Sequence, residues 1–152
     1  MFFGDGGVVW VSEDCGSSVR ALYHGRFIVK YTWHPTEPQW GLALSHPPCD
    51  DPSRACSKRQ ELIYTPDLGH TWEHIASDIS HFGWGLLDDQ HQRSGIPSKR
   101  ILAVREKKHG AGGPLLQSDD FFASKPKTLL PHAHRFALSE DFLYVSEDAG
   151  HN

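Results

Sequence analysis

The chain is 152 residues long, the length of one ordinary domain, with a formal net charge of −4 and 38% apolar residues. Lys and Arg are scattered apart from the short runs SKR (98–100) and REKKH (105–109). That pattern argues against a nucleic-acid-binding face and against a polybasic membrane patch. No stretch approaches the roughly 20 apolar residues of a membrane-spanning helix, and the opening MFFGDGGVVW is too short and glycine-rich for a signal peptide.

Helical periodicity is poor, while short runs of β-branched and aromatic residues alternate with Gly, Pro, Asp and Ser breaks. In chain order, strands are expected at VVWVS (8–12), RFIVKYTW (26–33), WGLALS (40–45) and ELIYT (61–65). TWEHI (71–75), RILAVR (100–105), PLLQS (114–118) and FLYVS (142–146) follow. The reading is all-β with antiparallel hairpins.

Between the third and fourth of these runs, Cys49 and Cys56 bracket the loop CDDPSRAC, where a local disulfide is sterically reasonable. Cys15 is left over, and three reduced thiols are the alternative. The single Asn, Asn152, leaves no N-glycosylation acceptor.

An octet recurs after three of the apolar runs. SEDCGSSV (12–19), TPDLGHTW (65–72) and SDDFFASK (118–125) place Asp14, Asp67 and Asp120 at equal intervals of 53 residues. A further look-alike, SEDAGHN (146–152), comes too early for that period. A repeat of about 50 residues with several short strands is the signature of a propeller blade, and about three blades fit here.

In a tight turn the aspartate is expected to accept several unpaired backbone N–H groups, and the leading Ser or Thr to hold the outgoing backbone. Gly at the fifth position supplies a positive φ, and Trp72 should fall on the second strand facing the core. Such a motif ties off a hairpin and carries no catalytic chemistry.

Thr65, Asp67, Gly69, Thr71 and Trp72 match the Asp-box of β-propellers at every defining position. Ser12, Asp14, Gly16 and Ser18 match in the first copy, with Val19 replacing tryptophan. Ser118 and Asp120 match in the third, where Phe122 replaces glycine and Lys125 replaces tryptophan.

The text around the second and third boxes, YTPDLGHTWEHIASDISHFGWG (64–85), RILAV and PLLQSDDFF, resembles the Vps10 or sortilin type of sorting receptor. RFALSEDFLYVS (135–146) is similar to another segment of that family. A cysteine pair interrupting the blade before the second box, here Cys49 and Cys56, is in keeping with it. The resemblance implies that residues 1–152 are part of a Vps10/sortilin-like β-propeller domain. It implies a luminal, ten-bladed propeller of a type I membrane protein, which binds protein or peptide cargo for transport between Golgi, endosome and vacuole or lysosome. Most blades, the cysteine-rich modules, the membrane helix and the cytoplasmic tail are not in this chain, so membrane association is expected only through segments absent here. No nucleic-acid partner, cofactor or catalytic residue is expected.

The alternative is an Asp-box glycoside hydrolase of sialidase-like type. It needs two facing carboxylates, for which Glu13, Asp88, Asp89, Glu106 and Glu140 are the candidates, and an arginine cluster for the substrate. The carboxylates are scattered over loops and the arginines form no recognisable frame. His132 with His134, and His46 with Cys49 and Cys56, are the nearest approaches to metal ligands, but neither has the paired spacing of a structural zinc site. The run KKHGAGGPL (107–115) lacks the Lys-Ser/Thr ending of a phosphate loop. Trp10, Trp33, Trp40, Trp72 and Trp84 are expected to be buried between packed blades instead of forming a stacking platform.

Overall fold

A computed structural model describes residues 2–3, 9–21, 27–46, 60–85, 95–108, 110–139 and 142–147. Thirteen strands and no helix occur among them. They are β1 (Phe2–Phe3), β2 (Val9–Val11), β3 (Arg20–Ala21), β4 (Phe27–Trp33), β5 (Gly41–His46), β6 (Glu61–Thr65) and β7 (Glu73–Ser77). Then come β8 (Ile79–Trp84), β9 (Ile101–Arg105), β10 (Gly113–Ser118), β11 (Lys127–Ala133), β12 (Arg135–Ser139) and β13 (Phe142–Ser146).

Four antiparallel sheets form in sequence order. The first is β1-β2-β3, the second β4-β5-β6-β7, the third β8-β9-β10-β11 and the fourth β12-β13. The two complete sheets are up-and-down meanders of four strands, the plan of a propeller blade. They share two irregularities, and the third sheet has a further one between Gly113 and Leu115. Register shifts fall at Val29 on β4 and at Ser80 on β8, and again at Ile75 on β7 and Leu129 on β11. Each shift leaves one extra residue on the strand, a bulge that deepens the sheet's twist.

Alternation along the central strands shows why they read as unbroken apolar runs. Leu42 and Leu44 of β5 and Leu62 and Tyr64 of β6 point to one side, where they meet Ile79, Phe82, Trp84, Ile101 and Ala103 of the third sheet. Ala43 and Ile63 point to the other side and meet Val11 of the first sheet and Ile28. In the third sheet Leu102, Val104 and Leu115 turn away from the second and pack on Phe136 of the fourth. Each interior sheet is thus buried on both faces, so both parities of the strand must be apolar. Leu42, Leu62, Ile101 and Leu115 are wholly buried, each stabilising the stack by about 1.5–3 kcal/mol.

Two of the junctions between adjacent sheets are single residues. Asp78 alone separates β7 from β8, and His134 alone separates β11 from β12. Asp78 turns the chain with φ +63°, and its carbonyl accepts the Glu106 N–H at 2.6 Å. His134 donates its N–H to the Ser146 carbonyl at 2.8 Å. The architecture is all-β, a partial β-propeller of two four-stranded blades flanked by a three-stranded and a two-stranded sheet.

Trp10 corrects one expectation. It lies on the face of β2 opposite Val11, turned away from the second sheet, and is 40% exposed. Trp84 is buried, while Trp33, Trp40 and Trp72 are half-buried against the inter-sheet cores. Trp72 also stands one residue before β7 instead of on it. The expected Cys49–Cys56 pair lies outside the described residues, and Cys15 is an exposed free thiol.

Candidate functional site

The three octets each join two neighbouring strands of one sheet, β2 to β3, β6 to β7 and β10 to β11. Their backbone is the same turn. Residues four and five are left-handed in every copy: Cys15 and Gly16 at φ +56° and +93°, Leu68 and Gly69 at +57° and +83°, Phe121 and Phe122 at +54° and +62°. The carbonyl of the aspartate accepts the N–H three residues on, at 3.3, 3.3 and 3.1 Å for Asp14, Asp67 and Asp120. Two consecutive positive φ values closed by this bond are the pattern of a type I′ turn, whose twist matches that of the strands it joins.

Side chains hold the turn through a repeated network. In the second box Thr65 Oγ1 donates to Asp67 Oδ1 (2.9 Å) and accepts the Gly69 N–H (2.7 Å) and the Asp67 N–H (3.3 Å). Asp67 then accepts the Thr71 N–H at Oδ1 (2.8 Å) and the Thr71 hydroxyl at Oδ2 (2.7 Å). In the first box Ser12, Asp14, Gly16 and Ser18 make the matching contacts at 2.6–3.0 Å. In the third, Ser118 binds Asp120 and accepts the Phe122 and Asp120 N–H groups, while Asp120 accepts the Ser124 N–H at 3.0 Å.

The division of labour differs from the expectation. Asp14 and Asp67 each accept one N–H outside their own peptide, plus hydroxyls, Asp120 is held by the Ser124 and Ala123 N–H groups, and the leading hydroxyl satisfies the amide at position five. Ser124, at the same offset as Ser18 and Thr71, belongs to the network as well. Its hydroxyl spacing was legible in the sequence but was not matched there.

These contacts favour the ionised carboxylates. Asp14 is held below its ordinary range by the Ser18 hydroxyl, then by the Ser18 N–H. Asp120 is held down chiefly by Ser124 and Ser118. At Asp67 partial burial pushes upward, but the Thr71 N–H, the Thr71 and Thr65 hydroxyls and nearby His70 outweigh it.

The boxes also reach across sheets. Arg20 of β3 donates to the Leu68 carbonyl in the second box at 2.7 Å, and Glu13 pairs with Arg20 at 2.9 Å and with His70 at 3.3 Å. Arg20 thereby holds Glu13 below its ordinary range. In the third box Asp119 pairs with Arg100 at 2.7 Å. Phe121 inserts between the second and third sheets, stacking on Tyr64 at 4.2 Å with Trp40 and Trp84 edge-on. His34 completes this cluster beside Trp84. Its Nδ1 accepts the N–H groups of Thr36 and Glu37, so its proton sits on Nε2, which donates to the Ser98 carbonyl at 2.7 Å.

The eighth position is not uniform. Trp72 packs on the core between the first and second sheets, Lys125 is exposed, and Val19 is 54% exposed.

Among the described residues the carboxylate candidates assemble no catalytic frame. Glu13 is engaged as above, Glu106 accepts the Ala111 N–H at 2.9 Å, and Asp88, Asp89 and Glu140 lie outside the described residues. His132 and His134 face each other edge-on at 5.1 Å, with His132 bonded to the Ala111 carbonyl. Among the described residues no group of three His, Cys, Asp or Glu is placed to hold a metal ion. Of the zinc candidates His46, Cys49 and Cys56, both cysteines are outside them. No helix among the described residues is long and apolar enough to cross a membrane.

Comparison with known proteins agrees with this architecture. The family model Sortilin-Vps10, described as sortilin, neurotensin receptor 3, matches residues 1–152. "Vacuolar protein sorting/targeting protein 10" of Schizosaccharomyces pombe is 20% identical over 117 residues, 76% of this chain and 8% of that protein. The chain therefore spans a small part of its relative's length. With the match running from the first residue to the last, the chain belongs to the Sortilin-Vps10 family.

Proposed function

We propose that residues 1–152 form part of a β-propeller domain that binds protein or peptide cargo for a sorting receptor, without chemistry of its own. Box-tied hairpins stack the sheets into a rigid wall, and non-covalent recognition requires a surface whose shape is set before the ligand arrives. In this reading the domain lies in the lumen of the Golgi–endosome system, and the cargo is bound for the vacuole or lysosome. Transport depends on membrane and cytoplasmic segments outside this chain.

The observation that carries the reading is the full-length family match, joined to a site in which the recurring polar residues are spent on turns. Asp14, Asp67 and Asp120 are turn anchors, Gly16 and Gly69 the left-handed positions, and Trp72 a packing residue. The sialidase-like alternative would need its carboxylates free to face a sugar, whereas Glu13 and Glu106 are engaged locally. Cells lacking the gene should secrete vacuolar hydrolases that are normally retained, and the purified protein should leave sialosides and glucans uncleaved. Normal retention together with glycoside hydrolysis would reverse the assignment.

A further inference from the structure

The two outer sheets carry different parts of one blade plan. In the second and third sheets the box joins the third strand to the fourth, β6 to β7 and β10 to β11. By that plan β2 and β3, joined by the first box, are a third and a fourth strand, while β12 and β13 are a first and a second. The place of a second strand beside β2 is held only by the two-residue β1, paired through Phe2 and Phe3. Among the described residues the five-residue β13 is the edge of its sheet, and an edge strand is a template for another chain.

The complete blades supply the register in which β13 would meet β2. The residue leading each box stands opposite the start of the second strand, Thr65 opposite Gly41 and Ser118 opposite Ile101. Ile101 and Ala103 of β9 pack toward the preceding sheet, as Leu143 and Val145 of β13 do. Leu143 is thus the counterpart of Ile101. With Ser12 laid against Leu143, antiparallel pairing sets Val11 opposite Tyr144 and Trp10 opposite Val145. Both faces then agree. Tyr144, 59% exposed, comes to the side where Val11 packs on the second sheet, and exposed Trp10 comes to the side where Val145 packs on the third. The counterparts of Tyr144 are Leu42 and Leu102, those of Trp10 are Ile63 and Leu116, and all four are buried. A slip of one residue would turn the apolar set of one strand to the wrong side.

We propose that this chain associates head to tail with a second copy of itself. β13 of one copy takes the place of β1 against β2 of the other, completing a shared four-stranded blade β12-β13-β2-β3. Trp10 and Tyr144 are the two aromatic residues that this join buries. The second copy is the occupant because the edge of β13 calls for a strand that leads into a box, and β2 with the first box is such a unit. The proposal goes beyond the cargo-binding reading, which stands whatever its outcome.

Sedimentation equilibrium of the whole chain tests it. The mass should exceed that of one copy and rise with concentration, because every join leaves another head and another tail open. Trp10→Asp blocks the head and Tyr144→Asp blocks the tail. Each variant alone should sediment as one copy and keep its melting curve, since both residues are exposed. An equimolar mixture should stop at two copies, with association roughly tenfold or more tighter than either variant shows alone. Trp10→Thr and Tyr144→Thr, which retain strand preference, take their place if an aspartate disturbs folding. One copy at every concentration, association that persists in a single variant, or a mixture no different from its components would overturn the proposal.

Discussion

Phe121 lies in the third turn yet stacks its ring on Tyr64 of the neighbouring sheet, 4.2 Å between centroids and 26° between planes. A residue held at φ +54° costs about 1–2 kcal/mol of backbone energy, and this inter-sheet contact offsets it. Phe121→Ala should therefore destabilise the chain by roughly 2–4 kcal/mol in urea titrations. A second readout separates this contact from general damage. Burial, with Glu73 and Glu37 nearby, pushes the Tyr64 hydroxyl up to about 12, and opening the stack should bring its ultraviolet titration back toward the ordinary 10.

Asp67→Ala removes an acceptor for one amide and two hydroxyls. The expected loss is about 1–3 kcal/mol, measured by thermal or urea unfolding, with Asp67→Asn less damaging. An unchanged transition would contradict the turn role.

The acid limb follows from the same contacts. Asp14, Asp67 and Asp120 all sit below the ordinary 3.8 when folded. Near and below that value the unfolded chain binds more protons than the folded one, so their contribution is fully present above about pH 4–5 and is lost as pH falls through the folded values. Melting temperature should drop as pH is lowered from 5 toward 2, and less so for the triple Asn variant. A steeper loss in the triple variant would contradict the assignment.

Glycine acts in two different ways. A Cβ on Gly16 would meet nothing within 4 Å, so Gly16→Ala should cost only the conformational penalty of φ +93°, roughly 1 kcal/mol. At Gly113 the added Cβ would collide with the backbone carbonyl of Arg105. Gly113→Ala should therefore cost more, about 1–3 kcal/mol, and disturb the β9–β10 pairing. Comparing the two variants by urea unfolding checks the order.

The sequence was most legible where both strand faces are buried. β5, β6 and β9 carry apolar runs because Leu42 and Ala43, or Leu102 and Ala103, serve opposite cores. β8 breaks that pattern with Ser80, His81 and Gly83, and was visible only through the family resemblance. β11 was hidden by Pro131, which reads as a breaker but is tolerated because β11 is the edge of its sheet. Two-residue β1 and β3 are too short to show periodicity. The 53-residue interval located the turns, while the cross-sheet roles of Arg20 and Phe121 depend on distant partners that local pattern does not encode.

The most direct check of the account is amide hydrogen exchange at Ser18, Thr71 and Ser124, the three N–H groups handed to the aspartates. All three should be protected at neutral pH, and each should lose protection when its own aspartate is replaced by alanine while the other two retain theirs. Exchange at the rate of an open loop in the unaltered chain would mean that the carboxylates do not hold these hairpins, and the stack of box-tied blades would have to be abandoned.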